Sequence, residues 1–350
     1  MKKYYTRVCN FYYGNISIKL VKQKKTLPLN GNSKISFDHI EIISRDSEKR
    51  INIKDINKLS KHLRKKIKSD LRVIVKKNNN FSRLNFKKLP NIMGIVNLTP
   101  DSFSDGGKYN KKNKGYKHSI RLLEKGSDII DIGGESTRPG SLEIDTDKEW
   151  KRIFPTLSKL KKSTVISLDT RKSKVMKKGI EAGVSLINDI SGLDYDKNSI
   201  KILRKYKTPF VIHHIQGTPK TMQNNPKYKD VVLDIYDYFE KKIRFARLNG
   251  INHNNIVIDP GIGFGKNLKH NMRLISKISI FHTLGFPILL GLSRKKFIKE
   301  ISGINDSKDR IGGTIGSSLF AIMQGVQILR VHDVNEIIQS YKVFKRLLEN

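Results

Sequence analysis

Eight short apolar runs recur after residue 91, and each of them stops at a polar or glycine-rich motif. Runs this short and this apolar are typical of β-strands in a parallel sheet that helices cover. Helix-length segments fill most of the gaps between the runs. The runs are Ile92–Val96, Ile129–Ile130, Val165–Leu168, Leu186–Ile187, Phe210–Ile212, Ile256–Ile258, Ile288–Leu290 and Ile328–Leu329. Eight such units over about 250 residues predict an α/β fold of the (β/α)8 TIM-barrel type; an open doubly wound sheet, the alternative, usually has fewer strands.

The polar residues come after the apolar runs, at the carboxyl ends of the predicted strands. In a (β/α)8 barrel the loops that follow the strands converge on one face, and that face carries the active site. Asp and Asn are also common helix caps, so a single polar strand end would mean little. Polar residues after nearly every strand instead indicate one shared site. Because arginine and glycine-rich loops are among them, we expect a substrate that bears oxyanions.

A polar break of three asparagines at residues 78–80 indicates a boundary between two domains. It divides the chain into an N-terminal extension at residues 1–88 and the barrel at residues 89–350. The formal net charge is +37, and residues 1–90 hold 24 Lys and Arg against 6 Asp and Glu. The remaining excess is spread over the barrel without arginine stripes or interleaved aromatic residues, so nucleic acid is not an expected partner.

The extension has the pattern of a small α+β domain. Ile35–Ile43 and Leu71–Val75 are predicted strands, and Asp55–Lys68 is a predicted basic helix with one apolar face. Such a face is more typical of a helix that packs on a sheet than of one that binds a partner. No chemical motif lies in this part of the chain.

The single cysteine, Cys9, excludes a disulfide framework and a zinc site built from cysteines. No stretch of about 20 apolar residues occurs, so no membrane span is expected. The N-terminus also lacks the apolar run of a secretory signal. We therefore expect a cytoplasmic protein without a membrane partner.

Two loops at the predicted strand ends suggest substrate binding. Asn97–Gly107 is long, rich in hydroxyl groups and hinged by glycines, as a mobile lid would be. Gly133–Gly140 combines glycines, hydroxyl groups and Arg138, which could bind an anion. Asp259–Lys266 is also rich in glycine, but it lacks the Lys-Ser/Thr ending of a phosphate-binding P-loop.

Two adjacent histidines, His213 and His214, follow the fifth run. Neighbouring residues of a strand point to opposite faces, so these two side chains do not readily ligate one metal ion. We expect one of them to pack in the protein and the other to line the site.

Two of these segments carry a specific resemblance. Met93–Gly107 resembles the first signature of the dihydropteroate synthases, and Asp131–Gly140 resembles the second. Shorter motifs follow in the order of that family, and the match covers residues 92–333. These motifs are Ser167–Thr170, Ile187–Ile190, His214–Gly217, Asp259–Lys266, Ser293–Lys295 and Arg330–Asp333.

The resemblance implies an enzyme of folate biosynthesis. Such a transferase condenses 6-hydroxymethyl-7,8-dihydropterin pyrophosphate with p-aminobenzoate to give 7,8-dihydropteroate and pyrophosphate. It also implies a Mg²⁺ ion, a homodimer and competition by sulfonamides. Two alternatives are a pterin-binding methyltransferase-type barrel, which would not need Asn97, Arg330 and His332 for pyrophosphate, and a non-catalytic pterin-binding relative.

The family's site residues carry over by motif. The catalytic residues implied are Asp169, Lys295, Arg330 and His332. Pterin binding is implied for Asp169, Asn188, Ile190, Ile215, Asp259, Phe264 and Lys295. Binding of p-aminobenzoate is implied for Phe103, Thr137, Arg138, Pro139 and Ser293. Binding of pyrophosphate is implied for Asn97, Arg330 and His332, with Asn97 also a magnesium ligand.

These residue types suit the chemistry implied. Carboxylates accept hydrogen bonds from the ring N–H and amino groups of a pterin, and an ammonium donates to its carbonyl. An arginine fork and an imidazolium suit pyrophosphate, and magnesium needs few protein oxygens. Ile215 stands where many relatives have Met, and its apolar contact is expected to survive. We expect pyrophosphate to leave first, Asp169 to stabilise the cation-like pterin, and no covalent enzyme intermediate.

Overall fold

The computed structural model of the protein describes residues 2–77, 90–99, 113–160 and 164–349. Within these ranges, a small antiparallel sheet precedes a ring of eight parallel strands. None of the helices described there is long and apolar enough to cross a membrane.

The N-terminal sheet is built around one long strand, β3, which pairs with the other three strands in antiparallel fashion. Its strands are β1 (Tyr5–Tyr13), β2 (Leu27–Leu29), β3 (Asn32–Ile43) and β4 (Glu48–Asn52). Its helices are α1 (Gly14–Lys22), a 3₁₀ segment (Ile53–Lys58) and α2 (Lys61–Ile74). The sheet and α2 enclose a hydrophobic core of their own.

The predictions for this region are confirmed only in part. Strand β3 contains the predicted strand Ile35–Ile43. The predicted helix Asp55–Lys68 is divided, since a 3₁₀ segment ends at Lys58 and α2 begins at Lys61. The predicted strand Leu71–Val75 is wrong, because α2 continues to Ile74 and buries its apolar face. The predicted boundary at residues 78–80 lies outside the described residues.

The barrel strands are β5 (Asn91–Asn97), β6 (Ile129–Gly133), β7 (Ile166–Asp169), β8 (Leu186–Asp189), β9 (Phe210–His213), β10 (Ile256–Asp259), β11 (Leu289–Leu290) and β12 (Ile328–Val331). The helices around them are α3 (Lys114–Glu124), α4 (Thr146–Leu157), α5 (Ser173–Glu181), α6 (Ser199–Tyr206), α7 (Val231–Leu248), α8 (Leu268–Ser276), α9 (Lys296–Ser302), α10 (Ile311–Met323) and α11 (Val334–Glu349). Two 3₁₀ segments, His253–Asn255 and Ile278–Leu284, precede β10 and β11.

The eight strands close into a barrel in chain order. From β5 to β10 and from β11 to β12, each strand pairs in parallel with the next, and β12 pairs with β5. A parallel bridge between Ile258 and Ile288 joins β10 to the start of β11. The predicted (β/α)8 TIM barrel is therefore confirmed.

Side chains that point into the barrel follow a period of two along each strand, and this stacks them in layers. The layer nearest the N-terminal ends is apolar and comprises Met93, Ile129, Val165, Leu186, Val211, Val257, Leu289 and Ile328. Two residues later comes a layer of Ile95, Asp131, Ser167, Asn188, His213, Asp259, Gly291 and Arg330. Two residues later again, at the strand ends, come Asn97, Gly133, Asp169, Ile190, Ile215, Gly261, Ser293 and His332. The barrel interior thus changes from apolar to polar toward its C-terminal end.

The N-terminal sheet packs against the barrel through polar contacts of β1. Ser279 Oγ donates to the carbonyl of Val8 at 2.8 Å, and Tyr13 donates its hydroxyl to the carbonyl of Met323 at 2.8 Å. Tyr5 donates to Asp237 Oδ1 on α7 at 2.8 Å. These contacts hold the sheet beside the helices, away from the C-terminal strand ends.

Candidate active site

Arg330 lies at the centre of the polar layers and joins two carboxylates. Its Nε donates to Asp131 Oδ2 at 2.6 Å, and its Nη2 donates to Asp169 Oδ2 at 2.8 Å. The strand order explains why these three side chains meet, because β12, β5, β6 and β7 are consecutive in the ring. One guanidinium therefore faces two buried carboxyl groups, and the group would carry an excess of negative charge if both were ionised.

That excess changes how readily Asp169 ionises. Burial raises the pKa of Asp169 and the neighbouring Asp131 adds to the rise, while Arg330 opposes both. A cation or an N–H donor above Asp169 would relieve the imbalance. The arrangement is therefore suited to binding an electron-poor ring that donates hydrogen bonds.

Three polar atoms of the second layer are buried without a hydrogen-bond partner among the described residues. They are Asp131 Oδ1, Ser167 Oγ and Asn188 Oδ1. The Asn188 amide donates to Asp131 Oδ2 at 3.3 Å, which turns its oxygen away from that carboxylate. Buried polar atoms that lack partners are costly, so such a cluster at a barrel mouth points to a ligand or ordered water.

Asp259, at the end of β10, and Lys295, in the loop after β11, form a second charged group on the opposite side of the barrel. Asp259 Oδ1 accepts a hydrogen bond from the backbone of Gly261 at 2.8 Å, and burial raises its pKa to about 6. Lys295 donates to the carbonyl of Ile262 at 2.6 Å and lies 4.3 Å from the centre of the Phe264 ring. Burial lowers the pKa of Lys295 to about 8.

His213 lines the site, and His214 does not. The ring of His213 meets that of Phe264 edge to face with centroids 4.5 Å apart, and its Nδ1 donates to the carbonyl of Ile190 at 3.2 Å. Burial lowers the pKa of His213 well below its usual range, so the ring is neutral. His214 instead packs against Tyr238. The expectation of one packed and one lining histidine is confirmed.

The loop after β10 is held close to the barrel by a buried lysine. Lys266 Nζ donates to the carbonyls of Gly261 and Phe264 at 2.9 Å each and to His214 Nδ1 at 3.0 Å. Gly261 has a φ of +69°, and a Cβ there would lie 1.9 Å from the carbonyl oxygen of His214. Glycine is therefore required at this turn, which orients Phe264 toward the site.

At the mouth, His332 and Ser293 are neighbours. The Ser293 hydroxyl lies 3.0 Å from His332 Nδ1. Burial and the nearby Arg294 and Arg330 lower the pKa of His332 to about 3. The imidazole is therefore neutral in this structure, which corrects the expectation of an imidazolium at this position.

These groups surround a cavity of about 20 Å³, which has room for about one water molecule. Eight residues predicted from the sequence line it: Thr137, Asp169, Asn188, Ile190, Asp259, Phe264, Lys295 and Arg330. Five others lie beyond its walls: Asn97, Arg138, Pro139, Ile215 and His332. Ser293 also lies beyond the walls, where its hydroxyl meets His332. Phe103 and most of the first loop lie outside the described residues.

The structure adds residues that the sequence analysis did not single out for the site. Asp131 and Ser167 both occupy the second inward layer. Counting two residues forward from the apolar layer on each strand would have found both. Ile262 also lines the cavity, and only its place in the loop after β10 could have indicated this.

A metal ion would find few protein ligands here. Among the described residues, no group of three His, Cys, Asp or Glu side chains is arranged to hold a metal ion. Asn97 is half-buried at the end of β5, and its amide oxygen is one neutral ligand. That donor set fits a magnesium ion that a substrate's oxygens and water hold for the most part.

Comparison with known proteins identifies the barrel. The family of pterin binding enzymes matches residues 93–332. The chain is 39% identical over 261 residues to a dihydropteroate synthase of Escherichia coli strain K12, covering 74% of this chain and 92% of that protein. The structure of Yersinia pestis dihydropteroate synthase with a sulfonamide drug complex has a TM-score of 0.72 and 38% identity, over 76% of this chain and 97% of that one. Xanthomonas albilineans dihydropteroate synthase in complex with 7,8-dihydropteroate has a TM-score of 0.68 and 33% identity, over 75% and 95%.

Proposed function

The chain belongs to the dihydropteroate synthases among the pterin-binding enzymes, and from this premise we propose how its residues divide the reaction between them. It is a transferase of folate biosynthesis that condenses 6-hydroxymethyl-7,8-dihydropterin pyrophosphate with p-aminobenzoate. The methyltransferase alternative has no support in these relatives, which are named as synthases. This assignment of roles depends on one observation. Asp131 and Asp169 both bind the guanidinium of Arg330, and buried polar atoms without hydrogen-bond partners among the described residues lie beside them.

The pterin ring is assigned to the second layer. Asp259 and Asn188 are buried, and their oxygens can accept hydrogen bonds from the ring N–H and amino groups. Lys295 donates to the pterin carbonyl, and its present contact with the Ile262 carbonyl shows that it already reaches the cavity. Phe264 and Ile190 supply apolar surface beside the ring. The cavity is too small for a pterin, so Lys295 is expected to give up that carbonyl contact when the ring enters.

The pyrophosphate group is assigned to the end of the barrel where β12 meets β5. Arg330 and His332 donate hydrogen bonds to its oxygens, which carry more negative charge as the carbon–oxygen bond breaks. A neutral His332 can still donate one hydrogen bond. The amide oxygen of Asn97 would be the protein ligand for a magnesium ion, which would neutralise part of the pyrophosphate charge.

The arylamine attacks the methylene carbon that pyrophosphate has left. Asp169 lies in the third layer, where its carboxylate stabilises positive charge on the pterin as the bond to pyrophosphate breaks. Thr137 lines the cavity, and Arg138 and Pro139 follow it on the exposed loop after β6. The loop is therefore placed to hold p-aminobenzoate, and Arg138 can pair with its carboxylate.

The direct test supplies purified protein with the pterin pyrophosphate, p-aminobenzoate and magnesium, and measures 7,8-dihydropteroate by chromatography. Product that depends on both substrates is expected, and a sulfonamide should compete with p-aminobenzoate. Folded protein that yields no product would refute the assignment. An Asp259→Asn variant should raise the KM for the pterin substrate by roughly tenfold to a hundredfold, since a buried hydrogen bond to a charged group is lost.

A homodimer belongs to the same proposal, and α10 is its proposed interface. The helix is strongly apolar, yet Phe320 is 45% exposed. A Cβ on Gly312 or Gly316 would meet nothing within 4 Å, so this face lies open. Small residues beside an exposed aromatic ring allow close helix packing. Sedimentation velocity should show a dimer that Phe320→Glu converts to a monomer. A location in the cytoplasm remains our expectation.

A further inference from the structure

The loop between β6 and α4 is closed at its base by one carboxylate. Glu135 stands just after β6 and is only 8% exposed, whereas residues 138–140 at the tip are exposed. Its Oε1 accepts a hydrogen bond from the backbone of Ile144, nine residues later, at 3.0 Å. Ser141 also donates its hydroxyl to the carbonyl of Ser136 at 2.7 Å. The base of the loop is therefore ordered by contacts that do not involve its tip.

The same carboxylate is tied to the neighbouring strand by two cations. Glu135 Oε1 accepts from Lys172 Nζ at 2.8 Å, and its Oε2 accepts from Arg171 Nε at 3.0 Å. Both cations come directly after β7, two and three residues beyond Asp169. The loop after β6 is thus joined to the strand end that carries Asp169.

Lys172 also reaches the far side of the loop. Its Nζ donates to Glu149 Oε2 at 2.7 Å, and Glu149 lies in the first turn of α4, where the loop ends. Lys172 is 5% exposed and Glu149 is fully buried. The ammonium of Lys172 therefore lies between Glu135, near the start of the loop, and α4, which begins where the loop ends. Such a buried group is weak evidence for stability but fixes geometry, since either partner alone would be an uncompensated charge.

None of these three side chains lines the cavity at the barrel mouth. We propose that Glu135, Lys172 and Glu149 are positioning residues that hold Thr137, Arg138 and Pro139 at a fixed distance from Asp169, and so set the affinity for p-aminobenzoate. The inference rests on the proposed assignment of that loop to p-aminobenzoate. It predicts an effect on one substrate and not on the other, because the pterin residues Asn188, Asp259 and Lys295 lie on or after other strands, namely β8, β10 and β11.

The test compares Lys172→Met and Glu135→Gln with the parental protein. Each should raise the KM for p-aminobenzoate about tenfold and leave the KM for the pterin substrate within about twofold, as expected when a binding group is displaced but present. Lys172→Arg, which keeps the charge, should recover part of the loss. Lys178→Met is the matched control, because Lys178 of α5 pairs with Asp147 of α4 at the surface, 3.0 Å apart, close to the buried group but outside it. It should change neither constant.

Hydrogen exchange of the backbone amides in residues 136–144 provides a second readout that needs no turnover. Exchange there should rise in Lys172→Met and Glu135→Gln but not in Lys178→Met. Unchanged exchange, or a rise in exchange with an unchanged KM for p-aminobenzoate, would overturn the inference. A parental protein that makes no dihydropteroate would refute the proposed function instead, and the exchange data would still decide whether the three residues hold the loop.

Discussion

At the N-terminal end of the barrel, a cavity of about 540 Å³ lies between the small sheet and helices α10 and α11, whereas the cavity at the C-terminal end has about 20 Å³. The larger one is lined by apolar groups such as Ile35, Ile338 and Tyr341. Its charged residues, Lys125 and Lys342 among them, are all exposed or half-buried. Size alone would place the function at the wrong end.

The smaller cavity differs from the larger one in having buried ionisable side chains around it. Asp131, Asp169 and Asp259 are each no more than 5% exposed, and they surround Arg330 and Lys295. Burying a charge costs several kcal/mol unless it is paired, so a buried group of this kind opposes folding and points to a role in binding. The exposed lysines beside the larger cavity stay solvated, so their charge costs little folding free energy. Their presence is therefore weak evidence for a functional site. Buried charge is the better guide to the active site in this molecule.

The largest effect should come from Arg330→Ala. We expect kcat/KM to fall by about a hundredfold to a thousandfold, as when one preorganised donor to a developing oxyanion is lost. The free energy of unfolding should also fall by about 3–5 kcal/mol, because two buried carboxylates lose their cation. Steady-state kinetics, corrected for the folded fraction from urea unfolding, separate the two. Full turnover in this variant would mean that buried charge does not mark the site.

The pH dependence should show the same buried groups. Asp259 must be ionised to accept from the pterin, and its raised pKa places the loss of binding below about pH 6. Lys295 donates more strongly as an ammonium than as a neutral amine, and its lowered pKa places a second loss of binding above about pH 8. The profile of kcat/KM for the pterin substrate should therefore be bell-shaped. Lys295→Arg should move the basic limb upward, and an unmoved limb would assign it to another group.

Filling the larger cavity should leave catalysis unchanged. Ile338→Phe adds volume at the N-terminal end, so we expect kcat and both KM values within about twofold of the parental values, as for substitutions distant from the chemistry. Kinetics and a thermal melt would be measured together. A tenfold change in either KM would show that the two ends are coupled, and the comparison would then need revision.

The smallest effect is expected at the contact between the small sheet and α7. Arg45 bonds Asp234 and Asp237 at 2.7 Å each, but its side chain is 40% exposed. Arg45→Ala should lower the free energy of unfolding by less than about 1 kcal/mol, with no change in turnover. It also serves as the arginine control for Arg330→Ala. A loss of activity here would give the extension a part in the reaction.

Much of the barrel could be predicted because its pattern is local. Each strand is a short apolar run with a polar end, and both features can be read without knowing which strands are neighbours. Asp169, Asn188 and Asp259 were found in this way. The small sheet is harder to predict, since burial along β1 does not alternate. Leu71 continues the helical spacing of Ile67, yet the apolar run that it begins resembles a strand.

What could not be predicted depends on residues far apart in the chain. Asp131 gains its role from Arg330, which follows it by 199 positions and meets it only through the closed ring. The contact of Lys172 with Glu135 and Glu149 likewise joins two strand ends and a helix. Charges of this kind look like ordinary surface residues until the fold buries them. The neutral imidazole of His332 has the same origin, because burial in the folded barrel lowers its pKa to about 3.

Closure of the ring in chain order also determines where new sequence can be joined to it. The chain enters the barrel at the start of β5, and α11 returns from the end of β12 to the same side, where Lys34 pairs with Glu349 at 3.0 Å. Both ends of the catalytic unit therefore open onto the face that carries no chemistry. Segments fused there, such as the sheet of residues 5–52, can be gained, lost or exchanged during evolution while the strand ends stay in register. In the barrel, the ends of the chain and the candidate active site therefore lie on opposite faces.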